Sequence, residues 1–449
     1  MRICRAAAAD SGPAKRARLG GHRMNRILLK ATTGAVLLFV AAQLCSGAEG
    51  DLLASAPARI EKVRKAPVIL RVTDSSGRPV ADAVVRIEQK RHAFLFGCNV
   101  FYLYDYKGEE HQRYASQFSA LFNYATLPFY WGDYEKEPGK TRRDEVMKMA
   151  EWCKAYGIET KGHTLIWHEV YPKWGPSDPD ATRDAHERRI REIVPDFRGL
   201  VDRWDVINEA TAAGKFDTGV SRWIAKQGAE RVVGEALAWA RKANPDAVLV
   251  YNDYNLGPAL EDLLGKMVRD RMPFDVLGIQ SHMHRGEWPL EKAWETCETY
   301  ARFGKPLHYT ELTVLSGEHD WERKGPWPTT PAGEALQAEY VEKLFTLLFS
   351  HPAVEAITWW DFMDGGWQKA PAGLLRADLS PKPAYQRLLK LVKEQWWTRL
   401  SLQTDREGKC SFEGFLGDYE VTAQDGRSTF RRAFSLGKGA NDWAVTFQK

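Results

Sequence analysis

Eight short apolar runs alternate with amphipathic stretches across residues 94–397, and this pattern constrains the fold more than any other feature of the chain. The runs are FLFGCN (94–99), LFNYATL (121–127), IETKGHTLIWH (158–168), DRWDVINE (202–209), AVLVYNDYN (247–255), VLGIQSHM (276–283), PLHYTEL (306–312) and VEAITWWDF (354–362). Short, nearly continuous apolar runs fit strands buried on both faces. Between two of them, SRWIAKQGAERVVGEALAWARKANP (221–245) puts Val233, Leu237 and Ala240 at helical spacing and stops at an Asn-Pro breaker. Eight strands with helices between them predict an α/β protein built on a (β/α)8 TIM barrel over residues 94–397.

The flanks read differently. VILRVTDSSGRPVADAVVRI, from Val68 to Ile87, alternates apolar and polar residues around a Ser-Gly turn, which predicts a hairpin, and LQTDREGKCSFEGFLGDYEVTA does the same near the other end. Both carry Thr-Asp-x-x-Gly-basic, at Thr73 to Arg78 and Thr404 to Lys409. Each flank, 49–93 and 398–449, is small for an independent core. Small β-rich appendages leaning on the barrel or on each other are expected, with two independent sheets as the alternative.

Residues 1–48 carry eight Lys/Arg against one acid, Asp10, so the overall +4 leaves the remainder at −3 and gives no argument for a nucleic-acid partner. That basic stretch leads into ATTGAVLLFVAAQLCSGAEG, the layout of a secretory signal peptide rather than a membrane span, with Ser46 and Ala48 suited to cleavage and Met24 a candidate true start. The expected location is secreted or periplasmic. Cys45 as a lipid-anchored cysteine is the less favoured reading, because Ala42-Gln43-Leu44 lack the small residue usually needed beside it. Cysteines 98, 153, 297 and 410 show no CxxC and point neither to a zinc site nor to a disulfide scaffold, although one incidental disulfide has room. A monomer without cofactor or metal is expected.

Chemistry in such a barrel sits where strands end. Six runs end in polar or aromatic groups: His163 with Trp167 and His168; Asn208-Glu209; Asn252-Asp253-Tyr254; Gln280 with His282 and His284; Glu311; and Trp359-Trp360 with Asp361. One polar strand end is a cap or turn, whereas six on one face make a pocket. Glu209 and Glu311 would face each other across its mouth. Acetal cleavage needs a proton for the leaving oxygen and an anion beneath the developing oxocarbenium ion, and two carboxyls in different environments supply both. Trp167, Trp360 and Trp367 offer faces for pyranose rings, while His163, Asn208, Gln280 and His282 offer directional hydrogen bonds. By strand alternation Trp360 faces the pocket and Trp359 packs outward.

GHTLIWH (162–168), WDVINEA (204–210), YNDYN (251–255), GIQSHMH (278–284), YTEL (309–312), TWWDF (358–362) and PKPAY (381–385) occur in an order and spacing that resemble glycoside hydrolase family 10, the endo-β-1,4-xylanases. The resemblance implies a retaining double displacement on xylan-type polysaccharide, with Glu209 as acid/base and Glu311 as nucleophile. It implies a central sugar subsite walled by His163, Trp167, Asn208, Gln280, His282 and Trp360, with Tyr254 a further substrate-binding position and Trp367 matched one residue out of register.

Two departures stand out. The family's Glu-Asn-x-x-Lys-Trp after the second strand is here LPFYWGDYE (127–135), with Phe129 and Gly132 at the amide and lysine places. Sugar hydrogen bonds are therefore expected to be replaced by an aromatic wall or lost. The family's Glu-Leu-Asp is here Glu311-Leu312-Thr313, which removes a charged partner from His282, favours its neutral form and predicts a changed pH optimum. Four other readings stay open: acids that serve only in ion pairs or loops, His282 and His284 as a metal pair, a non-catalytic glycan-binding barrel, and a retaining glycosidase on another β-linked glycan.

Overall fold

The computed structural model describes residues 50–318, 325–425 and 428–447; the signal-peptide and Met24 expectations fall outside them. The strands, in chain order, are β1 (Lys65–Thr73), β2 (Val84–His92), β3 (Leu95–Asn99), β4 (Tyr124–Pro128), β5 (Glu135–Glu137), β6 (Lys140–Thr141), β7 (Glu159–Ile166), β8 (Arg203–Asn208), β9 (Val248–Asp253), β10 (Val276–Ile279), β11 (His282–Met283), β12 (Leu307–Val314), β13 (Val354–Trp359), β14 (Arg399–Gln403), β15 (Lys409–Phe415), β16 (Gly417–Gln424), β17 (Thr429–Leu436) and β18 (Asn441–Thr446).

β3, β4, β7, β8, β9, β10, β12 and β13 pair in parallel in that order, and β13 returns to β3, so the expected barrel closes. The helices around it begin and end for local reasons. Asp178 accepts hydrogen bonds from the Asp180 and Ala181 amides ahead of the helix Pro179–Asp196, and Thr330 accepts one from Gly333 ahead of Pro331–Ser350. Both helices open on proline, whose missing N–H is one of the unpaired donors of a first turn anyway. Ala229–Ala243 buries Val233, Leu237 and Ala240 against the barrel and stops at Asn244.

The flanks correct the hairpin expectation. β1 lies in a three-stranded sheet, ordered β15-β1-β18, whereas β2 lies in a four-stranded sheet, ordered β14-β2-β16-β17. Both Thr-Asp-x-x-Gly-basic segments do turn the chain. Asp74 Oδ1 accepts from the Ser76 and Arg78 amides, and Asp405 Oδ1 from the Glu407 and Lys409 amides. Beyond each turn the chain crosses to the other sheet, because Val68, Leu70 and Val72 of β1 bury their face against Val85 and Ile87 of β2 across one shared core. The two corners touch: Val72 donates to the Gly408 carbonyl, and a Cβ on Gly408 (φ +70°) would come 2.5 Å from the Val72 carbonyl oxygen.

This sandwich sits at the end of the barrel where the strands begin. His92 packs edge-on against Phe96, Phe349 and Phe415, and Arg91 pairs with both Glu159 and Asp418. A helix, Ala56–Arg64, precedes β1. Its buried Arg64 donates to the carbonyls of Phe349 (2.6 Å), in the last turn of the helix Pro331–Ser350, of His351 (2.7 Å) just after it, and of Val354 (2.6 Å) at the start of β13. The four cysteines in the described residues are free thiols. No described helix is long and apolar enough to cross a membrane.

Candidate active site

At the opposite end of the barrel the strands finish on buried polar side chains. Glu209 follows β8 in a left-handed conformation (φ 59°, ψ 38°), and Ser281, just after β10, does the same (φ 58°). Such conformations cost a non-glycine residue on the order of 1 kcal/mol and persist where the surroundings over-determine them. Here the Glu209 amide donates to the Asn252 carbonyl and its own carbonyl accepts from Ala212, turning the side chain out of the strand line and into the mouth.

Strand register puts Asn208 beside Asn252, and their amides join the two glutamates. Asn208 Nδ2 donates to Glu209 Oε1 (3.0 Å), and Gln280 Nε2 donates to the same oxygen (2.7 Å). Asn252 Nδ2 donates to Asn208 Oδ1 (2.8 Å) and to Glu311 Oε1 (2.7 Å), while Thr310 Oγ1 donates to Asn252 Oδ1 (2.6 Å). A Cβ on Gly278 would sit 2.4 Å from Asn252 Oδ1, so that glycine gives the lattice its room. The other oxygen of Glu311 accepts from His282 Nε2 at 3.1 Å, and Thr313 Oγ1 faces His282 Nδ1 at 3.3 Å.

The two carboxyls are buried alike, Glu209 at 7% and Glu311 at 4% exposure, yet their proton affinities diverge. Burial, followed by the nearby charges of Glu311 and Asp253, pushes Glu209 up to about 8 against the pull of the Gln280 bond. Burial also works on Glu311, but His163, the His282 bond and charge, and Lys161 outweigh it and hold that carboxylate at about 2. The positive field has a visible source. Lys161 Nζ and His163 Nδ1 both lie 2.6 Å from Asp205 Oδ2, in a fully buried cluster whose His163 Nε2 reaches within 3.9 Å of Glu311 Oε1. Asp205 supplies the opposite charge that a buried lysine needs close by.

Rings line the rest of the mouth. Trp360 meets His163 edge-on at 5.3 Å, and Tyr130 meets His163 at 5.0 Å and Trp167 at 5.4 Å. Phe101 contacts both Trp360 and Tyr130. Trp367 lies flat on His282, with centroids 4.3 Å apart and planes 7° apart. Trp359 points away and donates to the Ala372 carbonyl. Tyr254 is half-buried at the rim, with the Lys215 ammonium over its ring at 4.5 Å. His168, forced down to about 4 by burial and Lys215, faces Glu209 Oε2 at 3.9 Å.

Rings do stand beside β4, but Phe129 is not one of them: it is fully buried behind the pocket, against Phe197 and Trp204, and Tyr130 supplies the ring surface. β4 ends at Pro128, so the next residue turns into the barrel-to-helix layer and the one after it faces the mouth. Gly132 is equally fixed. A Cβ there would come 3.0 Å from the Tyr171 carbonyl, so any side chain at this position would have to push that backbone aside. Three participants were missed as well: Lys161, Asp205 and Tyr130. Lys161 stands two positions before His163, on the same face of β7 by strand alternation, which was the available signal. Among the described residues no group of three or more His, Cys, Asp or Glu is placed to hold a metal ion.

A family model described as glycosyl hydrolase family 10 matches residues 96–391. An anti-sigma-I factor of Acetivibrio thermocellus is 27% identical over 87% of this chain, which spans about half (49%) of that protein's length. Endo-1,4-beta-xylanase B of Thermotoga neapolitana is 29% identical over 59% of this chain and 78% of its own. The crystal structure of xylanase 10B from Thermotoga petrophila superposes with a TM-score of 0.56 at 25% identity, covering 68% of this chain and 95% of that one. With the matched segment taking in the whole closed barrel and the buried carboxyl pair at its mouth, the chain belongs to glycosyl hydrolase family 10.

Proposed function

We propose that the chain is a retaining glycoside hydrolase that cleaves β-1,4-linked xylan-type polysaccharide, with Glu209 as acid/base and Glu311 as nucleophile. One observation carries the reading: at a single barrel mouth, one buried carboxyl is raised to about 8 and the other held at about 2. Between those values Glu209 carries a proton and Glu311 a negative charge, the pairing a double displacement requires. Because Glu209 Oε1 already accepts two amide hydrogens, the proton resides on Oε2. Oε2 gives it to the glycosidic oxygen as a Glu311 oxygen bonds to the anomeric carbon from the opposite side. That bond consumes the Glu311 charge, one of the influences raising Glu209, so Glu209 becomes a stronger acid and, once ionised, takes a proton from the water that releases the sugar.

Asn208, Gln280, His163 and His282 would hold the sugar hydroxyls, and Trp167, Trp360, Trp367 and Tyr254 the ring faces. The xylan assignment draws on the xylanases to which the chain is similar. Action as an exported, secreted or periplasmic monomer belongs to the same reading, on the layout of residues 1–48. The geometry around Phe129 and Gly132 favours a further specification: sugars on the β4 side meet rings rather than an amide and an ammonium.

Incubation with linear and substituted xylans, β-glucans and galactans, with early products followed by proton NMR, tests the proposal. The expected result is xylan cleavage with the β-anomer appearing first. Initial α-anomer would replace retention by inversion, and glycan binding without cleavage would make the barrel a binding module.

A further inference from the structure

Beyond β13, directly after Trp360, lies a buried carboxylate that the reaction does not use. Asp361 is 2% exposed, and among the described residues its only hydrogen-bond donor is the backbone N–H of Trp367, 3.0 Å from each oxygen. A buried carboxylate with one neutral donor is poorly compensated, and such groups are retained where they hold something in place. The segment it holds is strained: Gln368 (φ 53°) and Lys369 (φ 58°) are consecutive left-handed non-glycine residues. Its path is also moulded to Asp361, since a Cβ on Gly366 would come 2.5 Å from Asp361 Oδ1. At the tip of the segment the Trp367 indole lies flat on His282, and His282 donates to Glu311.

We propose that Asp361 is a positioning residue whose negative charge pins the Trp367 backbone, and thereby seats the indole on His282 as one wall of the sugar groove. Groups facing Asp361 from every side are few: Cys98 at the end of β3, Tyr102 in the loop after it, Asp364, and Lys382, which is itself bonded to Asp364 at 2.5 Å. Burial, reinforced by Asp364, pushes Asp361 up to about 7. Above that pH the charged carboxylate grips the amide. Below it the neutral acid is a weaker acceptor, and the strained segment is freer to leave His282.

Two arms test this. Amide exchange over 365–370 needs no substrate and does not rest on the proposed activity; corrected for intrinsic pH dependence, it should be about tenfold faster at pH 5.5 than at pH 8 in the unmodified protein, and fast at both pH values in Asp361→Asn. Protection that is equal at both pH values, or unchanged in Asp361→Asn, overturns the proposal. The second arm rests on the xylan-type reading. Asp361→Asn should raise KM for xylo-oligosaccharides about tenfold while kcat falls less than twofold, and it should add nothing to Trp367→Ala in the double variant. Losses that multiply in the double variant would mean that Asp361 does not act through Trp367. An absence of any hydrolysis by the unmodified protein would sink the activity reading and leave the exchange arm standing.

Discussion

The two sides of the barrel mouth are built from different materials. On the β8 to β12 side, Asn208, Asn252, Gln280 and His282 form a hydrogen-bonded lattice around two carboxyls. On the β4 to β7 side the same depth is filled by Tyr130, Trp167 and, behind them, Phe129, with Gly132 packed close to the Tyr171 carbonyl. The lattice decides where protons sit, because every member donates to, or orients a donor for, a carboxylate. The rings decide which molecular faces fit, and bear on proton affinity mainly through Trp167, which lowers that of Glu209. Changes on the first side should therefore move pH profiles and kcat, and changes on the second should move KM and stability.

The largest effect tests the lattice at its centre. Glu311→Gln should cut turnover on the order of 10⁴-fold or more, and Glu209→Gln about 10²–10⁴-fold on polysaccharide. In the unmodified protein kcat/KM should fall as pH rises through about 8, where Glu209 would lose its proton, and as it falls through about 2, where Glu311 would gain one. The basic limb should vanish in Glu209→Gln. Its stability should change too: a carboxyl raised in the folded state favours folding at low pH and opposes it as pH climbs toward its folded value, so Glu209→Gln should melt about 1–3 °C above the parent at pH 8 and not at pH 4.

Next in size is Asn252→Ala. Glu311 loses a donor and Asn208 is freed to rotate, so kcat should drop about 10–100-fold with an acid limb moved upward, as a pH-rate profile would reveal. A KM effect alone would erase the contrast between the two sides. Gly132→Lys probes the ring side: the new Cβ meets the Tyr171 carbonyl, and a stability loss of about 1–3 kcal/mol is expected in denaturant melts with kcat within a fewfold. Smallest is Thr313→Asp. Its carboxylate would face His282 Nδ1 where a hydroxyl now stands, and the pH optimum should shift by less than about one unit. An unaltered profile would show that the residue beside His282 is indifferent to charge.

How much of this could be read from the chain depended on whether a residue's neighbours in sequence were also its neighbours in space. Glu209 and Glu311 were legible because an acid ending an apolar run is costly unless the run opens into a site. Lys161 and Asp205 were not, because two charges 44 positions apart look solvated until the barrel puts them 2.6 Å apart. Tyr130 was not legible as the ring of the wall because the side chain that faces the mouth is set by where β4 stops, which the sequence alone leaves uncertain by a residue. The two Thr-Asp-x-x-Gly-basic corners misled for a related reason. The aspartate bonds that close such a turn are the same whether the outgoing strand pairs with the incoming one or departs for another sheet, and only the distant apolar partner decides.

The interwoven sandwich also orders events in time. β1 has its hydrogen-bonding edges completed by β15 and β18, about 340 to 370 positions further along, and β2 has its own completed by β14 and β16. On a ribosome, the earliest strands must wait with bare edges until the entire catalytic body has been made. The sandwich is thus a seal that closes last, and a nascent molecule halted anywhere inside the barrel would carry two unpaired, aggregation-prone ribbons that a finished one never displays.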